Sequence, residues 1–239
     1  MMEDKLRTVI SGGREIRWIL TRKKVRNVNL RIKPDGLVYV SASARVPIKY
    51  IEEFIRSKAE FIFDSLDKFA SHAELPDLPE PDTEYRDGDT ICYFGYNYTL
   101  SILIAVRENA VTDGERLIVY AKSPERVGAV LKKFFLEGIK KLFEELNKRT
   151  CLMFIAKGYN VPSASLQIRK MSSRWGSCHI SKKKIVMNSR LALYPRECSE
   201  YVFVHEYAHF IVPNHSRDFY AVLANVMPDY NKYRKMLKE

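Results

Sequence analysis

Three histidines and one glutamate lie within eleven residues near the C-terminal end of the chain: His205, Glu206, His209 and His215. His205 and His209 are four residues apart, so on a helix their imidazoles share one face with Cβ atoms about 5–6 Å apart. Two such rings can bind one metal ion. Glu206 is rotated by about 100° around the helix from His205, so its carboxylate need not be a ligand and can instead take a proton from a water nucleophile. This H-E-x-x-H pattern predicts a zinc hydrolase.

The third metal ligand is predicted to be His215, because catalytic zinc usually has three protein ligands and one open position. Pro213 lacks an N–H and disfavours helical angles in the preceding residue, so the helix should end near Ile211. Asn214 suits a turn, and Ser216 can cap a following helix. Such a return of the chain would bring His215 to the other two histidines.

A second informative segment, residues 171–179, lies between predicted strands at 166–168 and 185–187. Arg174 is the strong cation of this loop. It could bind a substrate carboxylate or phosphate, or stabilise a developing oxyanion. Taken from spacing alone, the alternative is a surface turn packed by Trp175.

The remaining pattern predicts an α+β protein, with a β-rich N-terminal half and a long helix leading into a zincin-like C-terminal half that carries the HExxH helix. The predicted strands lie within 14–42, 90–94, 96–104 and 116–120, and the predicted helices run for about twenty residues from Pro47, from Ser123-Pro124 to Lys157, and over 198–211. The strands between 90 and 120 are expected to form an antiparallel meander.

Two domains are predicted on this basis. Residues 1–122 would form a basic, β-rich region with one helix and a Pro-rich linker or surface strap at 73–90. Residues 123–239 would form the metallohydrolase domain.

Charge and hydropathy limit the partners and the compartment. The net charge is +11, and residues 1–50 hold 12 Lys and Arg against 4 Asp and Glu, a net of +8. A basic N-terminal lobe suggests nucleic acid or a nucleotide as partner, and the alternative is a solvated face. No apolar run reaches the ~18 residues of a membrane span, and the first twenty residues lack an apolar signal core. We therefore expect no membrane partner and a cytoplasmic location.

Two groups of residues resemble the YgjP-like metallopeptidase family, which is related to the SprT-like zincins. The first runs from the H-E-x-x-H segment 205–209 through Asn214-His215-Ser216 to Phe219, and the second is the Arg174–Cys178 segment, Arg-Trp-Gly-Ser-Cys. The resemblance covers roughly residues 15–235 and is weaker in the N-terminal half.

The resemblance implies site residues and a cofactor. The implied zinc ligands are His205, His209 and His215, with Glu206 as the catalytic acidic residue. The resemblance also favours Arg174 and Ser177 as active-site residues. We expect Arg174 to be a second catalytic residue, and Trp175 and Ser177 to be substrate contacts.

Three function classes follow. The first is a zinc metallopeptidase that acts on a peptide or protein through a water activated by Glu206. The second is a nucleotide phosphoanhydride hydrolase, in which the basic lobe and Arg174 hold phosphates. The third is a nucleic-acid-associated binding protein with a vestigial zinc site. The intact Glu206 argues against the third class, because a structural zinc site needs no base.

Overall fold

The computed structural model describes residues 6–33, 35–73 and 77–237. They form two compact units, one within Met1–Leu75 and one within Pro76–Glu239. Both units combine a sheet with helices, which confirms the predicted α+β class. No helix in the described ranges is long and apolar enough to cross a membrane.

The first unit is a four-stranded mixed sheet followed by two helices. Its elements are β1 (Leu6–Ser11), β2 (Arg14–Arg22), β3 (Asn29–Ile32), β4 (Val38–Ala42), α1 (Ile48–Ser57) and α2 (Ala59–Ala73). The strand order is β1-β2-β4-β3, with antiparallel pairs at both edges and the parallel pair β2–β4 in the centre. Strand β1 lies outside the predicted strand region, because only Val9 of its six residues is buried and it lacks a regular apolar alternation.

The core of the first unit joins the central strands to α1. Trp18 of β2 and Val38 of β4 are fully buried, and they belong to one apolar cluster with Ile51 of α1. The single helix predicted after Pro47 is in fact two helices, because the backbone of Lys58 leaves helical geometry (φ −110°, ψ 11°). The apolar residues keep their helical spacing across Lys58, so the sequence pattern does not indicate that the helix is interrupted there.

The second unit begins with a sheet of the same topology. Its strands are β5 (Thr90–Tyr93), β6 (Tyr96–Ile104), β7 (Asn109–Asp113) and β8 (Arg116–Ala121), in the order β5-β6-β8-β7. The predicted antiparallel meander is wrong, because β6 and β8 pair in parallel and β7 pairs with β8 as an extra edge strand. In β7 only Ala110 is buried, so this strand carries no apolar alternation.

One long helix packs on that sheet. Helix α3 (Val127–Ala156) contains 30 residues and follows a short 3-10 turn at Pro124–Arg126. It ends at Ala156, with Lys157 as its C-cap, and the next residue, Gly158, has a left-handed φ of +83°. The predicted long helix, with proline at its start and glycine as its stop, is confirmed.

The described part of the Pro-rich segment, residues 77–89, is a strap within the second unit. The carbonyl oxygen of Glu80 lies so close to Gly128 of α3 that a Cβ there would be 2.5 Å away. Asp77 forms ion pairs with Lys170 and with the buried Arg190. The predicted domain boundary at 122/123 therefore falls inside the second unit, and as a functional division it stays a prediction.

The metal-binding half is a small sheet followed by three helices. Its elements are β9 (Ser165–Arg169), β10 (Gly176–His179), β11 (Lys184–Asn188), α4 (Arg196–Ala208), α5 (Arg217–Val226) and α6 (Tyr230–Met236). The strand order is β10-β11-β9, with β11 parallel to β9 and antiparallel to β10. Both predicted strands are present, and β10 occupies part of the segment predicted to be a loop.

The turn between β5 and β6 fixes the start of α4. The amide of Phe94 donates to the carbonyl of Ala192 at 2.6 Å. Gly95 has a φ of +80°, and a Cβ on it would lie 2.7 Å from the backbone nitrogen of Pro195, the N-cap of α4. The first sheet of this unit therefore positions the helix that carries the H-E-x-x-H motif.

We predict that Gly95→Ala destabilises the protein by about 2–4 kcal/mol, since it adds a backbone clash to a left-handed conformation. Gly114 is the matched control: its φ is +58° and no atom lies within 4 Å of an added Cβ, so Gly114→Ala should cost only about 1–2 kcal/mol. Urea unfolding of both variants measures the difference. Equal losses would mean that the 94–95 turn does not constrain Pro195.

Candidate metal centre

The three predicted metal ligands converge at the C-terminal end of α4. His205 lies in the last turn of the helix, His209 is its C-cap, and His215 lies in the loop before α5. One ring nitrogen from each histidine lies within 4.8 Å of the other two, and the Nε2 atoms of His205 and His215 are 3.0 Å apart. Among the described residues, this is the one group of three or more His, Cys, Asp or Glu side chains that is placed to hold a metal ion.

The chain turns back after α4, as predicted from Pro213. The helix ends at Ala208, three residues before the predicted end at Ile211, and a tighter turn follows. Nδ1 of His209 lies 3.3 Å from the carbonyl oxygen of Val212. A neutral imidazole that donates from Nδ1 to this carbonyl keeps its Nε2 lone pair for a metal ion.

An apolar floor lies beneath the histidines. Phe219, in the first turn of α5, is fully buried. Its ring centroid is 5.0 Å from that of His205, 4.7 Å from that of His209 and 4.8 Å from that of His215. This ring excludes water from one side of the cluster.

Two of the three histidines are favoured in their neutral form. Burial first, and then the nearby His209, His215 and Arg234, lower the pKa of His205 to about 3. Burial and His215 also lower the pKa of His209. Nδ1 of His205 is buried without a hydrogen-bond partner in the described part of the chain. Metal ions bind the neutral form of imidazole, so these shifts favour metal binding, and three imidazoles match the ligand number of a zinc ion with a fourth position left open.

Glu206 lies against strand β10. It is 5% exposed, and a Cβ on Gly176 would be 2.5 Å from its Oε1 atom and 2.8 Å from its Cγ. Cys178 is two residues further along the strand and so lies on the same face. Burial, and then the charge of Glu206, raise the pKa of the Cys178 thiol to about 12. The thiol therefore stays protonated at neutral pH, and no thiolate competes for the metal.

Asn188 at the end of β11 holds the loop that leads into β10. This residue is fully buried, and its amide donates to the carbonyls of Met171 and Arg174, at 2.9 Å each. Its Oδ1 accepts from the amides of Met171 and Arg190, at 3.3 and 3.1 Å. Both donor hydrogens and both acceptor lone pairs of this side chain are thus used. These four hydrogen bonds fix the path of the chain just before Gly176.

Trp175 is part of the core. It is 1% exposed, its indole N–H donates to the carbonyl of Leu237 at 3.2 Å, and its ring lies edge-on to that of Tyr194 with centroids 5.0 Å apart. The assignment of Trp175 as a substrate contact stays a prediction. Its burial favours a supporting role, in which the indole anchors the loop.

Arg174 lies in the loop before β10, and Ser177 lies within that strand. Arg174 is exposed, and Ser177 is half-buried with its Oγ 3.4 Å from Nε2 of His179. Strand alternation places Ser177 on the face of the sheet opposite to Gly176 and Glu206. Their roles in substrate binding stay predictions.

Sequence reasoning gave no role to several residues that shape this site. Only one of the four side-chain hydrogen bonds of Asn188 is local, to the amide of Arg190, and the other three go to residues 14 to 17 positions away. Tyr220 stacks on His215 with ring centroids 6.5 Å apart, and the guanidinium of Arg234 lies 5.3 Å from the centroid of Tyr220. The i, i+4 spacing of His215 and Phe219 is the one pattern that could have pointed to the apolar floor.

The family comparison covers most of the chain. Residues 26–239 match the family described as "YgjP-like, metallopeptidase domain". The chain belongs to the YgjP-like metallopeptidase family. As a YgjP-like protein it is a metallohydrolase, and the convergent histidines agree with the divalent metal that the family implies. No curated protein matches the chain.

Two solved structures are similar to part of this YgjP-like chain. One is the metallopeptidase zymogen of Pyrococcus abyssi abylysin, with 19% identity, a TM-score of 0.35, and coverage of 40% of this chain and 90% of that one. The other is the metallopeptidase zymogen of Methanocaldococcus jannaschii jannalysin, with 21% identity, a TM-score of 0.33, and coverage of 41% and 92%.

We predict that His215→Ala loses most of its bound zinc, because the two remaining imidazoles are fewer than the three ligands of a catalytic site. The measurement is zinc stoichiometry after dialysis, by atomic emission. His179→Ala is the matched control, since His179 lies on β10 outside the cluster, and it should retain the metal. Equal zinc content in the two variants would remove His215 from the ligand set.

Proposed function

We propose that this YgjP-like protein is a zinc-dependent peptidase in which Glu206 activates the water nucleophile. One observation carries the proposal. A buried carboxylate follows directly after the first of three converging imidazoles, and it packs against an edge strand of the neighbouring sheet. A purely structural zinc site would need neither the carboxylate nor an open position.

Three imidazoles would hold the zinc ion: those of His205, His209 and His215. When bound, zinc would supply a Lewis acid and lower the pKa of water towards about 7. Glu206 would accept the proton of the attacking water and later deliver it to the leaving amine. Phe219 keeps water from one side of the site, which strengthens the electrostatic interactions there.

The substrate is proposed to lie along β10. In the described residues only β11 pairs with this strand, so its second edge presents backbone N–H and C=O groups. An extended peptide can add to such an edge through main-chain hydrogen bonds, without a particular sequence. Arg174, on the loop that precedes the strand, would meet a substrate carboxylate or the developing oxyanion.

The other two predicted functions remain predictions. A nucleotide hydrolase and a nucleic-acid-associated binding protein draw no support from the family or from the two zymogens, which are described as peptidases.

We predict that Glu206→Gln keeps its zinc but loses turnover by about 10²–10⁴-fold, because the amide is no base at neutral pH. Hydrolysis of a fluorogenic peptide library and zinc content are measured on the same sample. Glu200→Gln is the control on the same helix, where Glu200 pairs with Arg149 at 3.3 Å. A Glu206→Gln enzyme as active as the Glu200→Gln enzyme would exclude the proposed base.

We also predict that Gly176→Ala lowers kcat/KM by roughly 10–100-fold, because the new Cβ displaces the Glu206 carboxylate. Zinc content should not change, since the three atoms nearest to the added Cβ all belong to Glu206 and none to a histidine. Cys178→Ala changes the same face of β10 without adding an atom near Glu206, so it should retain most activity. If both variants keep the parent rate, the position of the carboxylate against β10 does not matter for turnover.

A further inference from the structure

The sheet beside the metal centre carries an unusual concentration of positive charge. Residues 165–184 contain six Lys and Arg residues and no Asp or Glu. They form β9, β10, the turn between β10 and β11, and the start of β11. This segment is separate from the basic N-terminal lobe noted in the sequence.

Strand alternation sorts the side chains of this sheet onto two faces. Gly176 and Cys178 face Glu206 and the core, and they pair with the buried Met187 and Ile185. The opposite face carries the polar residues Ser165, Gln167, Arg169, Ser177, His179 and Lys184, together with the buried Val186 and Asn188. Two of the basic residues, Arg169 and Lys184, therefore project from this face. Arg174 lies in the loop before β10, and Lys182 and Lys183 lie in the turn between β10 and β11.

Most of these cations lack a carboxylate partner. Lys170 pairs with Asp77 at 2.7 Å. The other five make no ion pair with any carboxylate of the described chain: Arg169, Arg174, Lys182, Lys183 and Lys184. Elsewhere in the same unit some cations do have such partners: Arg126, Lys132 and Arg196 each pair with a glutamate. We call the five unpaired cations the basic face.

Desolvation and the charges of the basic face lower the pKa of a neighbouring side chain, His179. The pKa of the His179 imidazole is lowered, first by desolvation and then by four cations: Lys184, Lys182, Arg169 and Arg174. Their charges therefore act together at one exposed position on β10.

The basic face is within reach of a chain bound at the active site. Strand β10 begins at Gly176, which contacts Glu206, and His179 lies three residues further along. At about 3.3 Å per residue, His179 lies roughly 10 Å along the strand from Gly176. A peptide that extends along the edge of β10 from the candidate metal centre would therefore pass His179 and the cations whose charges act on it.

The composition favours a polypeptide over a nucleic acid as the ligand. Single-stranded nucleic acids bind through exposed aromatic rings as well as through charge. The one Phe, Tyr or Trp in 165–184 is Trp175, which is 1% exposed. The basic face thus offers charge beside a strand edge, without a stacking surface.

We propose that the basic face binds an acidic stretch of the polypeptide substrate, on one side of the cleaved bond. The proposal rests on the proposed peptidase function and adds a substrate class to it. Each carboxylate that meets an exposed cation should improve affinity by about 2–5-fold. The gain should fall as salt is added, because exposed charges are screened within about 8–10 Å at physiological ionic strength.

Binding can be measured without turnover. The full-length Glu206→Gln protein, loaded with zinc, is titrated into two labelled peptides that differ only in a run of four Glu or four Gln, and fluorescence anisotropy is followed at 50 and 300 mM NaCl. We expect the Glu peptide to bind at least 10-fold more tightly at low salt, with most of this preference lost at high salt. Equal affinity for both peptides at low salt would overturn the proposal.

Two charge-reversal variants locate the site. Arg169→Glu with Lys182→Glu removes charge from the basic face, whereas Lys140→Glu with Lys148→Glu makes the same change in net charge on exposed positions of α3. The first pair should bring the preference for the Glu peptide below about 2-fold, and the second should leave it near the parent value. Equal loss in both variants would overturn the proposal, since it would reflect net charge alone.

Two further measurements distinguish a nucleic-acid ligand from a peptide ligand, and a failure of this inference from a failure of the proposed function. A single-stranded oligonucleotide that binds more tightly than the Glu peptide, and loses affinity only in the Arg169→Glu, Lys182→Glu variant, would assign the basic face to nucleic acid instead. Cleavage is tested separately with wild-type enzyme and neutral peptides. If neutral peptides are cleaved but acidic peptides bind no more tightly, this inference is wrong and the proposed peptidase function is supported. If acidic peptides bind more tightly but no peptide is cleaved, the binding site is supported and the proposed function is wrong.

Discussion

The close approach of helix α4 to strand β10, at Glu206 and Gly176, is the constraint on which the rest of the site depends. The side chain of Glu206 is only 5% exposed. Burying a carboxylate costs desolvation free energy, so favourable interactions must hold it in this position. The strand can come this close only because residue 176 has no Cβ. Gly176 is not among the residues with a positive φ, so the contact with Glu206, and not the backbone conformation, accounts for a glycine at this position.

Elements far away in sequence keep these two segments in place. The buried amide of Asn188 fixes the loop before β10, and the buried Arg190, two residues further on, forms an ion pair with Asp77 of the Pro-rich strap. At the other end, the turn at Gly95 contacts Pro195, where α4 begins. The strap and the first sheet of the second unit therefore act as supports for the metal centre, although both precede the predicted boundary of the metal-binding domain.

The parts of this structure that could be predicted from sequence are those with local causes. The spacing of His205 and His209, the break at Pro213 and the long apolar stripe of α3 each act within a few helical turns. Strands β1, β7 and β10 were not predicted, because an edge strand is stabilised by its neighbour and need not show apolar alternation. The role of Asn188 was also out of reach, since a buried amide is recognised only from partners that the fold brings to it.

The C-terminal helices complete the site in a way that a ligand motif alone does not explain. Three imidazoles close together must stay neutral to bind a metal, and burial lowers the pKa of His205 and His209, whereas His215 is exposed. Phe219 contacts all three rings from below, and Tyr220 lies between His215 and the Arg234 guanidinium. Tyr220 also stacks on Tyr230 of α6, with ring centroids 6.3 Å apart. Helices α5 and α6 thus build the apolar, positively charged side of the cluster, and both features favour neutral imidazoles over imidazolium.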